Sequence, residues 1–346
     1  MRWVRKYRFT LILAVLLVMW LAVGPQLIER LTNSPFYRDG LPTEVELSGM
    51  LYYTQEFDGV WQLDLSTGIA RRWWLPPDGG LATGIAASPD QTQLAIAYAP
   101  PAEGGIQSGT TDLYLSDVAQ PDLQPLLIRA NRSESFRNPA WSPDGDWLYY
   151  SHLQPGPGGA GLQLQVERLA LSGEADTAPE VILSAAEQPA LSPDGAQVTF
   201  LKFDARTYRS GLWLSDLDGG NAVELVPSAS FAALAGPRFT PEGDMVIVGG
   251  SGELQGKAAA QTGGGMVRAH GEPWNLWAVS VDEVSLSPLT PTTLDGPLID
   301  WSPDGQHMAV LSAEGVFVVV DGQYYRLSTV TSEGAITWVD TATATD

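Results

Sequence analysis

The chain has 346 residues, with 19 Lys and Arg against 40 Asp and Glu, three His and no Cys. The lack of cysteine excludes disulfides, thiolate metal sites, iron–sulfur clusters, a cysteine nucleophile and a lipid-modified N-terminal cysteine. The net charge of −21 argues against nucleic acid, which is held by Lys and Arg set against phosphates. With 44% hydrophobic and 17% charged residues, the chain has apolar surface enough for a core, so global disorder is excluded too.

In chain order, Arg2, Arg5, Lys6 and Arg8 precede residues 9–28, an apolar run without a charge. About 20 such residues span the hydrocarbon core of a bilayer, and the basic flank predicts a cytoplasmic N-terminus. Residues 1–28 therefore read as a basic end and a transmembrane signal anchor. The remainder is expected to be extracytoplasmic, periplasmic or at the cell surface. Ala22-Val23-Gly24 could also end a cleaved signal peptide, but Pro25 would follow the cut and disfavours it. Residues 1–30 carry five cations and one acid, so the net −21 splits into +4 there and −25 over residues 31–346. Residues 29–46, polar and broken by Pro35 and Pro42, read as a stalk.

From there on the sequence repeats. AASPDQTQLAIAY from Ala86, PAWSPDGDWLYYSH from Pro139, PALSPDGAQVTFLK from Pro189, PRFTPEGDMVIVGG from Pro237 and IDWSPDGQHMAVLS from Ile299 each join an apolar run, a turn and an alternating run. Pro presets φ in the turn, Asp bonds its own backbone and Gly takes the positive-φ position, which predicts a hairpin. A third alternating run follows at Gly59, Thr111, Leu162, Gly211, Asn275 and Gly315, and in most units a fourth. Five complete hairpins against six third strands leave one unit short. The ends of the chain complete it, Ala335–Trp338 matching the first strand and Met50–Thr54 the second. The expected fold is all-β, a six-bladed β-propeller at 47–340 whose C-terminal strand closes the first blade. Its blades run 47–80 plus 335–340, 84–130, 137–184, 187–229, 236–290 and 297–334, with a flexible tail at 341–346.

The SPDG hairpins at Ser142–Gly145, Ser192–Gly195 and Ser302–Gly305, with the LWLSDLDGGN string from Leu212, resemble the TolB-type or WD40-like (PD40) propeller repeat. Related repeats occur in prolyl-oligopeptidase-type peptidases and oligogalacturonate lyase. The resemblance implies the propeller fold; it does not single out a function, because this repeat serves binding proteins, gates and enzymes alike.

Trp141, Trp301 and Trp338 recur on first strands, and Trp61, Trp213 and Trp277 on third strands, which predicts packing between blades. Arg71 and Arg72, beside Trp73 and Trp74, form a rare cationic pair in an acidic domain. Strand alternation would expose one Arg and one Trp, making Arg71, Arg72 and Trp74 candidate partner contacts. Asp90, Asp144, Asp194 and Asp304, with Glu242 in the fifth copy, read as turn caps. Asp216 to Asn221 begins like a calcium loop but lacks its later ligands. His152, His270 and His307 show no ligand spacing, and no GxSxG, P-loop, dinucleotide or HExxH string occurs.

Alignment of first strands places Arg238 and Asp300 at equivalent positions of blades five and six, predicting an ion pair at the channel rim. Second-to-third loops are long at 100–110, 153–161 and 250–273, and binding function concentrates on such loops. The last carries the candidate contacts Lys257, Met266, Arg268 and His270. The expected protein is a membrane-anchored, extracytoplasmic, non-catalytic protein-binding or scaffold module without cofactor or metal, meeting envelope or membrane proteins. The alternatives are a carbohydrate- or peptide-processing enzyme with its site on the loop-rich face and a structural subunit of a membrane complex.

Overall fold

The computed structural model describes residues 36–77, 79–101, 109–156, 158, 161–171, 178–252, 274–283, 285–290, 294–330 and 334–340. The chain divides into two compact units, Met1–Arg38 and Asp39–Asp346, and the propeller lies in the second. The expected anchor at 9–28 and the tail lie outside the described residues. Among the described residues no helix is long and apolar enough to cross a membrane.

Six antiparallel sheets form the blades. Blade 1 takes its innermost strand, Ile336–Val339, from the C-terminal end and continues with Met50–Gln55, Gly59–Asp64 and Ile69–Trp74. The closing strand runs antiparallel to Met50–Tyr53, in a register from Met50 opposite Val339 to Tyr53 opposite Ile336. Innermost strands of blades 2 to 6 are Leu81–Ala87, Ser135–Trp141, Ala186–Leu191, Ala233–Phe239 and Leu298–Trp301. The fourth strand of blade 5, Leu286–Pro288, has only three residues and gave no alternating run in the sequence. Residues 39–46, read as stalk, lie along blades 6 and 1: Gly40 N–H donates to the Arg326 carbonyl at 2.9 Å, and Leu41 and Val45 pack on the core there.

Apolar clusters sit between consecutive blades. One joins Leu311, Val318 and Tyr325 of blade 6 to Leu51, Leu63 and Trp338 of blade 1, and another joins Tyr52 and Val60 of blade 1 to Ile85, Leu94 and Ile96 of blade 2. Trp61, Trp213 and Trp277 each pack on the blade before their own, as their recurrence predicts. Arg72 lies over the Trp61 ring and Lys202 over the Trp213 ring, at 5.3 and 4.8 Å. Fully burying an aliphatic side chain, as with Leu51, Leu63 and Ile96 in these clusters, stabilises the fold by about 1.5–3 kcal/mol.

The first-to-second-strand turns follow the expected chemistry. In blade 3 the Ser142 hydroxyl donates to Asp144 at 2.5 Å and accepts the Trp147 N–H at 2.9 Å, and Gly145 has φ of 77°. Ser88, Ser192 and Ser302 repeat this with Asp90, Asp194 and Asp304. In blade 5 the acceptor is Asp244, 2.9 Å from the Thr240 hydroxyl, instead of the expected Glu242. The turns of blades 3 to 6 each lie beside the turn before: a Cβ on Gly305 would lie 2.8 Å from Pro241, and one on Gly145 3.9 Å from Pro89.

Candidate functional site: the channel mouth

The innermost strands converge on the propeller axis, and where they run into the SPDG turns they enclose a cavity of about 470 Å³. Arg238, Asp300, Trp141, Trp301 and Thr337 line it, with prolines of four turns at its rim. It opens on the face opposite the long second-to-third loops, because the innermost strands of blades 2 to 6 each end at a turn into their second strand.

Sequence alignment brings Arg238 and Asp300 to this cavity, as expected, but they do not form the expected ion pair: no nitrogen of Arg238 lies within 4.0 Å of the Asp300 carboxylate. The carboxylate is engaged elsewhere. Its Oδ2 accepts the Thr337 hydroxyl and the Trp338 N–H, each at 2.9 Å, and Thr337 Oγ1 accepts the Ala87 N–H at 3.1 Å. One carboxylate thus ties blade 6 through the closing strand of blade 1 to blade 2. Arg238 donates from Nη1 to the carbonyl of Pro237 at 3.0 Å. Both side chains are half-buried and line the cavity. Burial pushes the Asp300 carboxyl up against the opposing pull of Arg238, Trp338 and Thr337. Burial likewise pulls Arg238 down against Asp300. Arg238 is therefore a cation in a confined space whose nearest anion is already bound by other donors, and such a group gains by meeting a ligand's acceptor.

A second relay crosses blades 3 to 5 midway along the innermost strands. Gly236 N–H donates to Gln188 Oε1 at 2.7 Å, Gln188 N–H to Ser151 Oγ at 2.8 Å, and the Ser151 hydroxyl to Asn138 Oδ1 at 3.1 Å. Asn138, Gln188 and Gly236 occupy equivalent bulges, each with positive φ and each followed by Pro.

The loop-rich face holds a cluster that the sequence did not reveal. His152 is buried, its Nδ1 2.8 Å from Glu167 and its Nε2 2.9 Å from Glu134, with Phe136 stacked on the ring at 4.5 Å. Tyr150 Oη donates to the other oxygen of Glu167 at 2.9 Å. Burial lowers the His152 pKa, but the two carboxylates outweigh it and the net shift is upward. For Glu167 burial acts upward, and His152, Tyr150 and Gln165 reverse it to a net lowering. The carboxylates sit at opposite nitrogens of the ring, so they do not converge on a common point. Among the described residues no group of three His, Cys, Asp or Glu could hold a metal. A signal did exist: Gln163, Gln165 and Glu167 place three polar residues on one face of a third strand.

Arg72 pairs with Asp58 at 2.5 Å. Arg71 and Arg72 are exposed, while Trp73 and Trp74 are both half-buried. Trp74 meets Tyr98 edge-on at 4.9 Å, and Trp73 Nε1 donates to the Val118 carbonyl at 3.1 Å. The expected exposure of one Arg and one Trp fails because the pairing slips between Val60 and Trp61, resetting the alternation and turning both indoles toward blade 2. Asp216 and Asp218 accept Asn221 and Gly220 within their own turn, at 2.7 and 2.8 Å. Lys257, Met266, Arg268 and His270 lie outside the described residues.

No family model and no curated protein matches the sequence. Among solved structures, the chain is similar to TolB from Acinetobacter baumannii, with a TM-score of 0.57, 16% identity and coverage of 85% of this chain and 67% of that one. It is similar to a chain of a nidogen/laminin complex, with a TM-score of 0.58, 10% identity and coverage of 84% and 98%. A putative TolB from Agrobacterium tumefaciens aligns with a TM-score of 0.51, 17% identity and coverage of 80% and 87%. At these identities the likeness is one of fold: the chain is a six-bladed β-propeller similar in fold to TolB.

Proposed function

We infer that the chain is a non-catalytic protein-binding or scaffold propeller, held at a membrane by residues 9–28 with the propeller on the extracytoplasmic side. The observation that carries the binding role is the channel mouth, a preformed funnel in which Arg238 offers donors while Asp300, the neighbouring carboxylate, is spent on holding the ring closed. A rigid cavity with an aromatic wall and one available cation suits an inserted side chain of a partner. The charge-free run at 9–28 and its four preceding cations support the anchor. One solved structure of this fold is itself a protein complex, that of nidogen with laminin.

A photoreactive residue placed at the rim, Gln91→benzoylphenylalanine, tests this reading in native membranes. The expected result is one crosslinked envelope protein, lost when Arg238→Glu is added. Crosslinks independent of Arg238 would remove the channel mouth from the reading. A small molecule co-purifying with the chain, and lost in the Arg238 variant, would replace the protein partner.

A further inference from the structure

Two further charged side chains stand toward the other end of the propeller axis. Arg137 and Glu187 each precede the bulge of their innermost strand, on neighbouring blades 3 and 4. They lie three residues before Ala140 and Ala190, nearer the loop-rich face by about 10 Å than the level of Arg238 and Asp300. The same position holds Thr83, Ala235, Pro297 and Gly334 in the other blades. A cation and an anion thus share a ring whose remaining members are compact and uncharged.

Among the described residues neither has a salt-bridge partner within 4.0 Å. Arg137 donates from Nε to the Ser135 hydroxyl at 3.1 Å, and its two terminal nitrogens make no hydrogen bond to the described residues. Ser135 is buried and accepts the Thr111 N–H at 3.0 Å, so the root of the guanidinium is tied to blades 2 and 3. Glu187 is half-buried, and its carboxylate accepts no hydrogen bond from the described residues. Burial pushes its pKa up and Arg137 opposes this, so the two charges feel each other without touching. Their unpartnered atoms are not sealed from solvent. The neighbouring charges are already engaged: Glu134 and Glu167 hold His152, Arg129 lies 3.8 Å from Asp112, and Lys202 covers the Trp213 ring.

A half-buried carboxylate and a half-buried guanidinium with open hydrogen-bonding capacity each gain from a group of opposite charge. A lone anion would meet Arg137 but be repelled by Glu187, and a lone cation the reverse. The ligand that satisfies both carries both signs on a compact, neutral body. We propose that this end of the axis binds a free α-amino acid, its carboxylate on the terminal nitrogens of Arg137 and its ammonium on Glu187. The gap between the two side chains, too wide for an ion pair, takes the two charges that an α-carbon holds side by side. The arrangement is set before binding, because Thr111 and Ser135 hold Arg137 while the Gln188 relay holds the strand of Glu187. The site is separate from the channel mouth on the opposite face and does not depend on a partner there.

Isothermal titration calorimetry of the full chain in a neutral detergent, with each free L-amino acid in turn, tests the proposal. At least one is expected to bind in the micromolar to millimolar range, and the same compound N-acetylated or amidated is expected not to. Arg137→Gln and Glu187→Gln should each weaken binding by about tenfold or more. Glu187→Gln should not lower Tm, since no hydrogen bond of the fold is lost with its carboxylate. Arg238→Glu, at the channel mouth, should leave binding unchanged. No binding of any amino acid, equal binding of the N-acetylated or amidated compound, binding intact in Glu187→Gln, or binding lost in Arg238→Glu would each overturn the proposal. Phosphoethanolamine binding more tightly than every amino acid would overturn it too, and would assign the pair to a zwitterionic lipid headgroup.

Discussion

The two faces of the propeller are built from the same strands and differ in kind. On the turn face, four SPD turns repeat one hydrogen-bond pattern, and a fifth, in blade 5, reproduces it with Thr240 and Asp244. On the loop face no two described turns are alike: a 3-10 turn carries Phe57, a strained hairpin carries Tyr208, and a buried His152 pins the connector through Glu134. Repetition marks the residues that make each blade, and departure from it marks the residues that single out one blade. Arg238 and Asp300 belong to the second kind although they sit on the first face, where blades 2 to 4 have Ala86, Ala140 and Ala190.

The largest effect is expected on the loop face. His152→Ala leaves the buried carboxylate of Glu167 without its cation, and breaking such a pair costs about 3–5 kcal/mol. Urea denaturation of purified protein checks this. The same cluster sets a pH window. The raised His152 pKa contributes stability that is complete below the unfolded histidine's pKa and lost as pH rises through the folded one. The lowered Glu167 pKa contributes stability present above the unfolded glutamate's pKa and lost as pH falls through the folded one. In His152→Gln the alkaline loss should vanish, and a profile matching wild type would remove His152 as its cause.

On the turn face, Asp300→Ala strips the acceptor from Thr337 and Trp338 where the ring closes, at a cost of about 2–3 kcal/mol. Asp300→Asn keeps an acceptor and should lose less. If both variants are as stable as wild type, the closing strand is held by packing alone. Smaller still, Gly305→Ala should cost about 1–2 kcal/mol, from positive φ and from collision with Pro241, against about 1 kcal/mol for Gly145→Ala, where there is room. Equal losses would mean that turn stacking adds nothing. Ser142→Ala, one of several equivalent caps, should cost about 1 kcal/mol, read as a small fall in Tm.

Much of this architecture is legible along the chain, because strand alternation, turn chemistry and the split first blade are local patterns. The period of two and the Ser-Pro-Asp-Gly strings locate the hairpins, and the match of Ala335–Trp338 to other first strands predicts the closure before any contact is seen. The same reading put Arg238 and Asp300 at one level of the channel. It could not give their partners. Thr337 lies 37 residues from Asp300 in sequence, and a carboxylate between a cation and two shorter-range donors is taken by whichever geometry the blade spacing allows.

The sequence by itself determined the six-fold repeat and the self-capped turns, which depend on neighbours a few residues away. It also determined the closure, because the string at Ala335–Trp338 matches the other first strands although its partner Met50–Tyr53 lies at the far end of the chain. The tertiary structure decided the Glu134–His152–Glu167 bridge, the turning of Trp73 and Trp74 toward blade 2 and the engagement of Asp300 with Thr337. Those depend on register slips and on distances between blades, and a one-residue bulge is enough to send a side chain to the other face of its sheet.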